Sequence, residues 1–289
     1  MKQLFFIISL FPKNIFVYLL DFYIYTRLYR FSYSYKITKV NIEIAYPDLS
    51  IKDVELTSKL SLRESIISGY ETIYTWGRND YNSNNKIFRI TNNFLLNKLN
   101  EKGEGLINVA IHNRSVDMLL KFINSQIFTV SLYKKLKNKS LEKFVKKDRE
   151  SNGSISVETS IGGVRKILQA LREKKAICFA ADQVPQRGLG EYLKLFNREA
   201  YSTTLVQSLA SKTLAPVLYF HLNSNKGNFL SLTIKQCDDD IYNKSKHLLL
   251  LNKDIQIEIY FLILATKALI SSNSQFINNM TDYGYSDCP

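Results

Sequence analysis

A short apolar run that ends in a histidine constrains the fold of this chain most strongly. Residues 106–111 are almost all Leu, Ile, Val or Ala, and His112 follows them directly. A short, continuous apolar run is typical of a strand that is buried on both faces, as in the parallel sheet of an α/β protein. Open α/β sheets bind ligands beyond the carboxyl ends of their strands, so His112 is predicted to lie at a binding edge.

An aspartate follows this histidine at a spacing that suits acid–base chemistry. Asp117 lies five residues after His112, and both would sit at the turn between a strand and a helix. A histidine can remove a proton from a hydroxyl group, and a nearby carboxylate can fix its tautomer and stabilise the imidazolium. The pattern is half of a catalytic triad, without a nucleophile from the protein. A simpler alternative stays open, in which Asp117 only stabilises the first turn of a helix.

Strand-like and helical patterns alternate along most of the remaining chain, which is the pattern of an α/β layer fold. Apolar residues at helical spacing predict a helix over 159–173, which leads into a second apolar strand over 176–181. Asp182 would stand at the end of this strand, as His112 does at the end of the first. We therefore expect a mixed central sheet flanked by helices. Further helices are predicted at about 200–211 and 252–270, and further strands at 215–220 and 229–234.

The net charge of the chain is strongly positive. It has 39 Lys and Arg residues against 26 Asp and Glu, which gives a formal net charge of +13 at pH 7. Such a charge attracts anionic surfaces, which include phospholipid headgroups, a phosphorylated glycolipid, an acidic carrier protein and nucleic acid. No zinc-finger spacing, RNP-like aromatic motif or recognition-helix pattern is present, so nucleic acid is not an expected partner. The lysine-rich stretch 134–147 is predicted to be a solvated or membrane-facing segment.

The three cysteines argue against a disulfide framework or a metal cluster. Cys178, Cys237 and Cys288 are odd in number and far apart in the sequence. Neither a set of disulfides nor the spacing of zinc ligands fits them. Cys178 lies inside an apolar run, where a buried and unreactive thiol is the expected state. This cysteine usage suits a reducing, cytoplasmic compartment.

The N-terminus carries a second informative pattern. Residues 4–11 and 15–20 are strongly apolar, and a break that begins with Pro12 separates them. Together the two runs approach the length needed to span a bilayer, although Asp21 would then lie near the far end. Nearby tyrosines and arginines are typical of the aromatic and basic belt at a headgroup boundary. They are Tyr18, Tyr23, Tyr25, Arg27, Tyr29, Arg30, Tyr33 and Tyr35.

We therefore expect two parts in the chain: a membrane anchor over 1–35 and a single α/β domain over 36–289. The anchor would insert into the bilayer or lie in its interface, and positive charge beside it predicts that the following domain is cytoplasmic. Two alternatives stay open for the apolar region, a cleaved signal peptide and a buried core helix. No small-residue cleavage site is evident, which speaks against the signal peptide.

Several ordered blocks of this sequence resemble the bacterial lipid A biosynthesis acyltransferases of the late lauroyl/myristoyl type. His112 to Asp117 matches the His-x4-Asp/Glu signature of that family. Glu71 and Trp76 fall where its members tend to carry an acidic residue and a tryptophan. Several blocks in the right order are far more specific than any single motif. The other matching blocks are Asn41–Ser50, Arg149 with Gly153, Ala181–Gln183, Gly190, Leu195–Phe196, Ala200, Thr203–Thr204, Leu209–Ala210 and Ala215–Val217.

The resemblance implies a glycerolipid-acyltransferase-like α/β fold and an acyl transfer that needs neither metal nor cofactor. The donor would be a thioester of acyl carrier protein, and the acceptor a hydroxyl of a phosphorylated lipid A precursor at the bacterial inner membrane. His112 would act as the general base and Asp117 would orient it. Arg149 and Asp182 would pair across the pocket and organise it. Weaker candidates for contacts with the anionic substrates are Arg114, Arg165 and Arg187.

Two departures from the family pattern keep other functions open. The tail over 275–283 lacks the usual tryptophan and basic pair, and Asn197 replaces the usual glycine after Phe196. An acyltransferase for a glycerolipid or another membrane glycolipid would use the same His and Asp chemistry. A lipid-binding relative that has lost catalysis is the alternative from a different class.

Overall fold

Helices precede and flank a central sheet in the computed structural model of the chain. The structure describes residues 2–150, 152–182, 184–185, 187–188, 190–195, 198–224 and 230–242. The helices are α1 (Lys2–Ser9), α2 (Lys13–Tyr25), α3 (Tyr33–Ala45), α4 (Ile51–Gly77), α5 (Asp80–Asn84), α6 (Phe94–Glu101), α7 (Val116–Gln126), α8 (Lys139–Arg149), α9 (Ile161–Arg172) and α10 (Leu205–Thr213). The strands are β1 (Ile87–Thr91), β2 (Leu106–Ala110), β3 (Thr129–Tyr133), β4 (Ile155–Glu158), β5 (Ala176–Ala180), β6 (Gly190–Leu195), β7 (Arg198–Thr203), β8 (Val217–Ser224) and β9 (Leu230–Gln236). Short 3-10 turns lie at Leu28–Phe31 and Asp239–Tyr242.

Seven of the described strands form one sheet, in the order β1-β9-β8-β2-β5-β3-β4. The strands from β8 to β4 run parallel to one another, and β9 with β1 runs the opposite way beyond β8. The strands β6 and β7 form a separate antiparallel hairpin. The prediction of a mixed central sheet flanked by helices is confirmed, with parallel pairing dominant.

The elements predicted in the centre of the sequence are close to those observed. The two apolar runs form β2 and β5, the helix before the second run forms α9, and the two later strands form β8 and β9. The prediction of a helix from about residue 200 is wrong at its start. Residues 200–203 pair with β6 as part of β7, and α10 begins only at Leu205. The helix predicted over 252–270 and the tail over 275–283 lie outside the described residues.

Two apolar cores cover the two faces of the sheet. Ile107 and Val109 of β2 point into the core that α9 and α10 cover. Leu106 and Ala110, the alternate residues, point into the core on the other face, beneath α6 and α7. A strand with both faces buried is apolar at nearly every position, which explains the run that begins at Leu106.

Polar caps fix the starts of the two helices α7 and α8, which border the carboxyl edge of the sheet. Ser115 accepts a backbone N–H in the first turn of α7, and Asn138 accepts two in the first turn of α8. Such caps satisfy N–H groups that have no partner inside the helix. The second half of the lysine-rich stretch therefore belongs to α8, and Val145 on its inner side is buried. This half of the stretch is thus a helix with a buried inner side, and it is not only a charged surface.

The N-terminal helices pack against the long helix α4. The Phe5 ring of α1 meets the Trp76 ring edge-on, with 5.4 Å between centroids. At Gly77 a Cβ atom would lie 2.3 Å from the carbonyl oxygen of Phe5, so only glycine allows α1 to approach this closely. Val17 and Leu20 bury one side of α2 against α4. The opposite sides of α1 and α2 face outward.

No single helix in the described part of the chain is both long and apolar enough to cross a membrane. The helices α1 and α2 meet those criteria only as a pair, and the pair is bent by 79° at the break between them. Large apolar side chains are exposed along α1, α2, the following 3-10 turn and α3, and we call them the N-terminal apolar surface. They are Leu4, Phe6, Ile7, Ile8, Leu10, Phe11, Ile15, Tyr18, Leu19, Phe22, Tyr25, Leu28, Phe31, Tyr33, Ile37, Val40 and Ile44.

Candidate functional site

Two adjacent parallel strands bring the central pair of the site together. The strands β2 and β5 pair in register, with Ala110 opposite Ala180. His112 and Asp182 each lie two residues further along, so they stand level at the carboxyl edge of the sheet. The backbone N–H of His112 donates to Asp182 Oδ2 at 2.6 Å, and the ring Nδ1 lies 2.7 Å from Asp182 Oδ1. One carboxylate thus holds both the main chain and the ring of the histidine.

This contact fixes the orientation of the histidine ring. When Nδ1–H donates to a carboxylate, Nε2 carries the lone pair and the neutral imidazole is held in one tautomer. The side chain of His112 is 40% exposed and that of Asp182 is 15% exposed. The ring is therefore within reach of a substrate at the edge of the sheet, whereas its carboxylate partner is largely shielded from water.

The predicted pairing of the four polar residues is exchanged in the structure. We expected Asp117 to orient His112, but Asp182 does so. We also expected Arg149 to pair with Asp182, but Arg149 Nε donates to Asp117 Oδ1 at 2.7 Å. The physical reason is direction: Asp117 lies in the first turn of α7, and its side chain points toward the end of α8. Strand register, and not closeness in the sequence, selects the carboxylate that meets the histidine.

The Asp117–Arg149 pair belongs to a second polar cluster at the same edge. The side chains of Asp117 and Arg149 are only 10% and 16% exposed. Burial opposes the charge on Arg149, but the attraction of Asp117 outweighs it and the pKa of Arg149 is raised. The guanidinium also lies 5.7 Å from the centre of the Tyr133 ring, at the end of β3. The ion pair therefore fastens the start of α7 to the end of α8.

Glu142 completes this cluster from the inner face of α8. It accepts a hydrogen bond from the Tyr133 hydroxyl at 2.6 Å and another from the backbone N–H of Leu136 at 2.8 Å. Burial raises the pKa of Tyr133 and the bond to Glu142 raises it further, so the phenol stays neutral. Burial also opposes the charge on Glu142, but these two bonds, together with the positive charges of Arg149 and Lys135, outweigh it and lower the pKa of that carboxyl. Tyr133 and Glu142 were not predicted as site residues, because both look like ordinary polar positions in the sequence.

The other neighbour of β2 is tied to the same edge. Asn113 Nδ2 donates to Asn223 Oδ1 at 2.8 Å, and Asn223 lies in β8. Both strands beside β2 thus hold the loop that carries His112, β5 through Asp182 and β8 through Asn223. This second contact was missed, because the predicted strand ended before Asn223.

Arg114 lies inside the protein and not at the open edge of the sheet. Its side chain is 1% exposed, and its guanidinium is paired with Glu64 of α4. It also lies 3.8 Å from the carboxylate of Glu71, a second acid on the same helix. We expected Arg114 to contact an anionic substrate, but these two carboxylates already occupy it. The residue instead fastens to α4 the loop over 111–115 that carries His112, which we call the histidine loop.

The same two carboxylates reach α2 as well. Lys13 Nζ lies 3.0 Å from Glu71 Oε1, and Arg63 Nη1 donates to Glu64 Oε1 at 2.8 Å. Arg63 also donates to both carboxylate oxygens of Asp21, at 2.6 and 3.1 Å. A continuous set of charges therefore joins α2, α4 and the histidine loop, and we call it the charge ladder. Its members are Asp21, Arg63, Glu64, Arg114, Glu71 and Lys13.

The remaining predicted residues lie away from this centre. Arg165 is on the exposed side of α9, and Arg187 is in an exposed turn after β5. Their roles as substrate contacts stay predictions. Cys178 is fully buried in β5, and burial raises the pKa of its thiol to about 12, so it is unreactive as expected. Cys288 lies outside the described residues, and among those described no three His, Cys, Asp or Glu side chains are arranged to hold a metal ion.

None of the curated proteins compared with the chain matches it. The family model of the bacterial lipid A biosynthesis acyltransferases matches residues 3–239, which is most of the chain and includes both polar clusters at the sheet edge. The chain therefore belongs to the bacterial lipid A biosynthesis acyltransferase family, and it is an acyltransferase of lipid A biosynthesis.

Proposed function

We propose that the enzyme moves a fatty acyl chain from an acyl carrier protein thioester to a hydroxyl of a lipid A precursor, with His112 as the general base. The observation that carries this proposal is the double contact of Asp182 with the backbone and ring of His112. A strand-end histidine held in one tautomer and open to substrate can accept a proton. Direct transfer between two bound substrates needs a base at that position and no nucleophile from the protein.

The proposed transfer is a single addition and collapse. His112 Nε2 removes the proton of the acceptor hydroxyl while the hydroxyl oxygen bonds to the carbonyl carbon of the thioester. Negative charge develops on the carbonyl oxygen. When the tetrahedral intermediate collapses, the carbon–sulfur bond breaks and the imidazolium returns its proton to the leaving sulfur. The products are an ester on the lipid and a free thiol on the carrier protein.

Two features beside the histidine support this chemistry. Asp182 would stabilise the imidazolium while it holds the proton, as the carboxylate of a triad does. The start of α7 lies just after His112. The N-terminus of a helix carries partial positive charge, which suits the oxyanion that develops on the thioester carbonyl. Asp117 and Arg149 act in this scheme as positioning residues, because they hold α7 in place.

We further propose that residues 1–35 attach the enzyme to the cytoplasmic face of the bacterial inner membrane, ahead of a single α/β domain over 36–289. The N-terminal apolar surface supports this, since so many large apolar side chains exposed on neighbouring elements are typical of an interaction surface. The 79° bend between α1 and α2 favours an arrangement in the interface. The net charge of +13 suits an acidic carrier protein and a phosphorylated acceptor.

A direct transfer assay tests the proposed reaction. Purified full-length protein in detergent is mixed with acyl carrier protein thioesters and a phosphorylated lipid A precursor that carries 3-hydroxyacyl chains. We expect a product heavier by one acyl chain in mass spectrometry, joined through an ester. The matched control is the same precursor with its chain hydroxyls blocked, which should give no product.

The other outcomes of this assay separate the alternatives. Transfer to a glycerolipid, with none to the precursor, would replace the proposed acceptor while keeping the chemistry. Acylation from acyl-coenzyme A alone would remove the carrier protein from the proposal. Folded protein that binds the precursor and yields no ester would indicate a lipid-binding relative without catalysis.

Two carboxylates of the site should behave differently when each becomes an amide. Asp182→Asn is expected to lower kcat about a hundredfold, because an amide stabilises the imidazolium poorly and can present N–H to Nδ1. Asp117→Asn should mainly lower the free energy of unfolding, by about 1–3 kcal/mol, because the largely buried Arg149 loses its charged partner. Steady-state transfer and thermal unfolding, measured on both variants, separate these effects. Equal losses of kcat in two well-folded variants would contradict the assigned roles.

A further inference from the structure

A cavity lies at the border of the N-terminal apolar surface. It has a volume of about 400 Å³, and its walls come from the end of α2, the following 3-10 turn and α4. Arg27, Arg30 and Lys59 line it, together with Tyr25 and Asp21. None of its lining residues belongs to either polar cluster at the edge of the sheet. The cavity is therefore separate from the proposed reaction centre.

The charges around this cavity leave an excess of positive charge. Asp21 is bonded through both carboxylate oxygens to Arg63, at 2.6 and 3.1 Å. Arg30 is paired with Glu55 at 3.0 Å. Arg27 and Lys59 have no ion-pair partner in the part of the chain that the structure describes. Two cations are thus available to an anionic group that enters the cavity.

Apolar side chains interleave with these cations along the chain. Tyr25 is 83% exposed, Leu28 is 57% exposed and Phe31 is 80% exposed, and the two arginines lie between them in the sequence. Moving apolar groups this exposed from water into a hydrocarbon phase lowers the free energy. Aromatic and basic side chains mixed in this way are typical of the boundary between acyl chains and headgroups. The mixture of side chains around the cavity therefore suits the level of the phosphates in a bilayer.

We propose that this cavity binds the phosphate of an anionic membrane phospholipid, with the N-terminal apolar surface in contact with the acyl chains. Guanidinium groups bind phosphate through several N–H donors in a fixed plane, and the ammonium of Lys59 adds a point charge. A volume of about 400 Å³ accommodates a glycerophosphate headgroup. The inference rests on the proposed membrane attachment of the enzyme, and it does not depend on the proposed acyl-transfer chemistry.

The test measures binding of the full-length protein to lipid vesicles by co-flotation. Vesicles of phosphatidylcholine alone are compared with vesicles in which part of it is replaced by phosphatidylglycerol. The variant Arg27→Gln/Lys59→Gln removes the two cations without an ion-pair partner and leaves the Arg30–Glu55 pair intact. We expect it to bind the phosphatidylglycerol vesicles about thirtyfold more weakly than the wild type, as two basic side chains near an anionic surface imply. Binding to pure phosphatidylcholine should be unchanged.

A matched control removes the same net charge elsewhere. Arg172→Gln/Lys212→Gln changes two exposed basic residues at the ends of α9 and α10. This control should keep at least a third of the wild-type affinity for phosphatidylglycerol vesicles. If it loses as much as the first variant, the attraction is general electrostatics and the headgroup site is refuted. Unchanged binding by Arg27→Gln/Lys59→Gln refutes it as well.

Further arms identify the source of the phosphate. Inorganic phosphate and glycerol phosphate, added to phosphatidylglycerol vesicles, should not release the protein, and release would point to a site for free anions. Vesicles that contain the lipid A precursor in place of phosphatidylglycerol should not show the same dependence on Arg27 and Lys59. If they do, the cavity serves the acceptor. If the wild-type protein co-floats with neither kind of vesicle, membrane attachment itself is refuted. If it binds both kinds equally well, only the headgroup site is refuted.

Discussion

His112→Ala is expected to lower acyl transfer by about a thousandfold or more, because the acceptor hydroxyl loses the base that removes its proton. The free energy of unfolding should change little, since the ring is 40% exposed and covers little apolar surface. Single-turnover transfer of a labelled acyl chain measures the chemical step. Thermal unfolding, followed by circular dichroism, shows whether the variant keeps its fold.

A second substitution at the same position makes the test specific to proton transfer. His112→Gln keeps a polar side chain of similar reach that can still meet Asp182, but an amide cannot act as a base near neutral pH. Its transfer rate should fall as far as that of His112→Ala. Near-wild-type turnover by either folded variant would remove His112 from the role of general base.

Arg114→Met is expected to cause the largest loss of stability, about 3–5 kcal/mol in the free energy of unfolding. The reason is that Glu64 and Glu71, with side chains 7% and 3% exposed, would lose the buried guanidinium between them and keep only Arg63 and Lys13 as cationic partners. Urea denaturation of the wild type and the variant measures the difference. Acyl transfer should fall as well, because Arg114 fastens the loop that carries His112.

Charge, and not side-chain volume, should account for that loss. Adding Glu64→Gln and Glu71→Gln to Arg114→Met should restore part of the stability, because neither buried carboxylate then remains, while Arg63 keeps its pair with Asp21 and Lys13 loses its pair with Glu71. Arg165→Met on the exposed side of α9 is the matched control and should change stability by less than about 0.5 kcal/mol. A stability of Arg114→Met within about 1 kcal/mol of the wild type would show that the buried ion pairs contribute little.

The sequence was most informative where burial leaves little choice of residue. The strands β2 and β5 have both faces covered, so their apolar runs are continuous and could be recognised without a structure. The polar residues His112 and Asp182 directly follow those runs, and their place at the sheet edge was predictable for the same reason. Their contact was not, because it depends on which strands are neighbours. The sheet places β5 beside β2, although β3 and β4 come between them in the chain.

Partners that come from distant helices were beyond prediction. Arg114 has the same sequence context whether it faces a substrate or the interior, and only the packing of α4 against the histidine loop decides. The break at Pro12 was visible in the sequence, but the 79° angle across it was not, and neither was the close approach of Phe5 to Gly77. Propensity and periodicity describe one segment at a time, whereas these features depend on two.

The charge ladder has a consequence for the geometry of the reaction. Glu64 and Glu71 are seven residues apart on α4, which is about two helical turns, so both face the same side of the helix. They connect α2 and the histidine loop to the same long helix. In the proposed membrane attachment through α2, these ion pairs would fix the height of His112 above the bilayer. On that proposal the acceptor hydroxyl has to rise to this height, and the depth of the lipid in the bilayer would be part of what the enzyme selects.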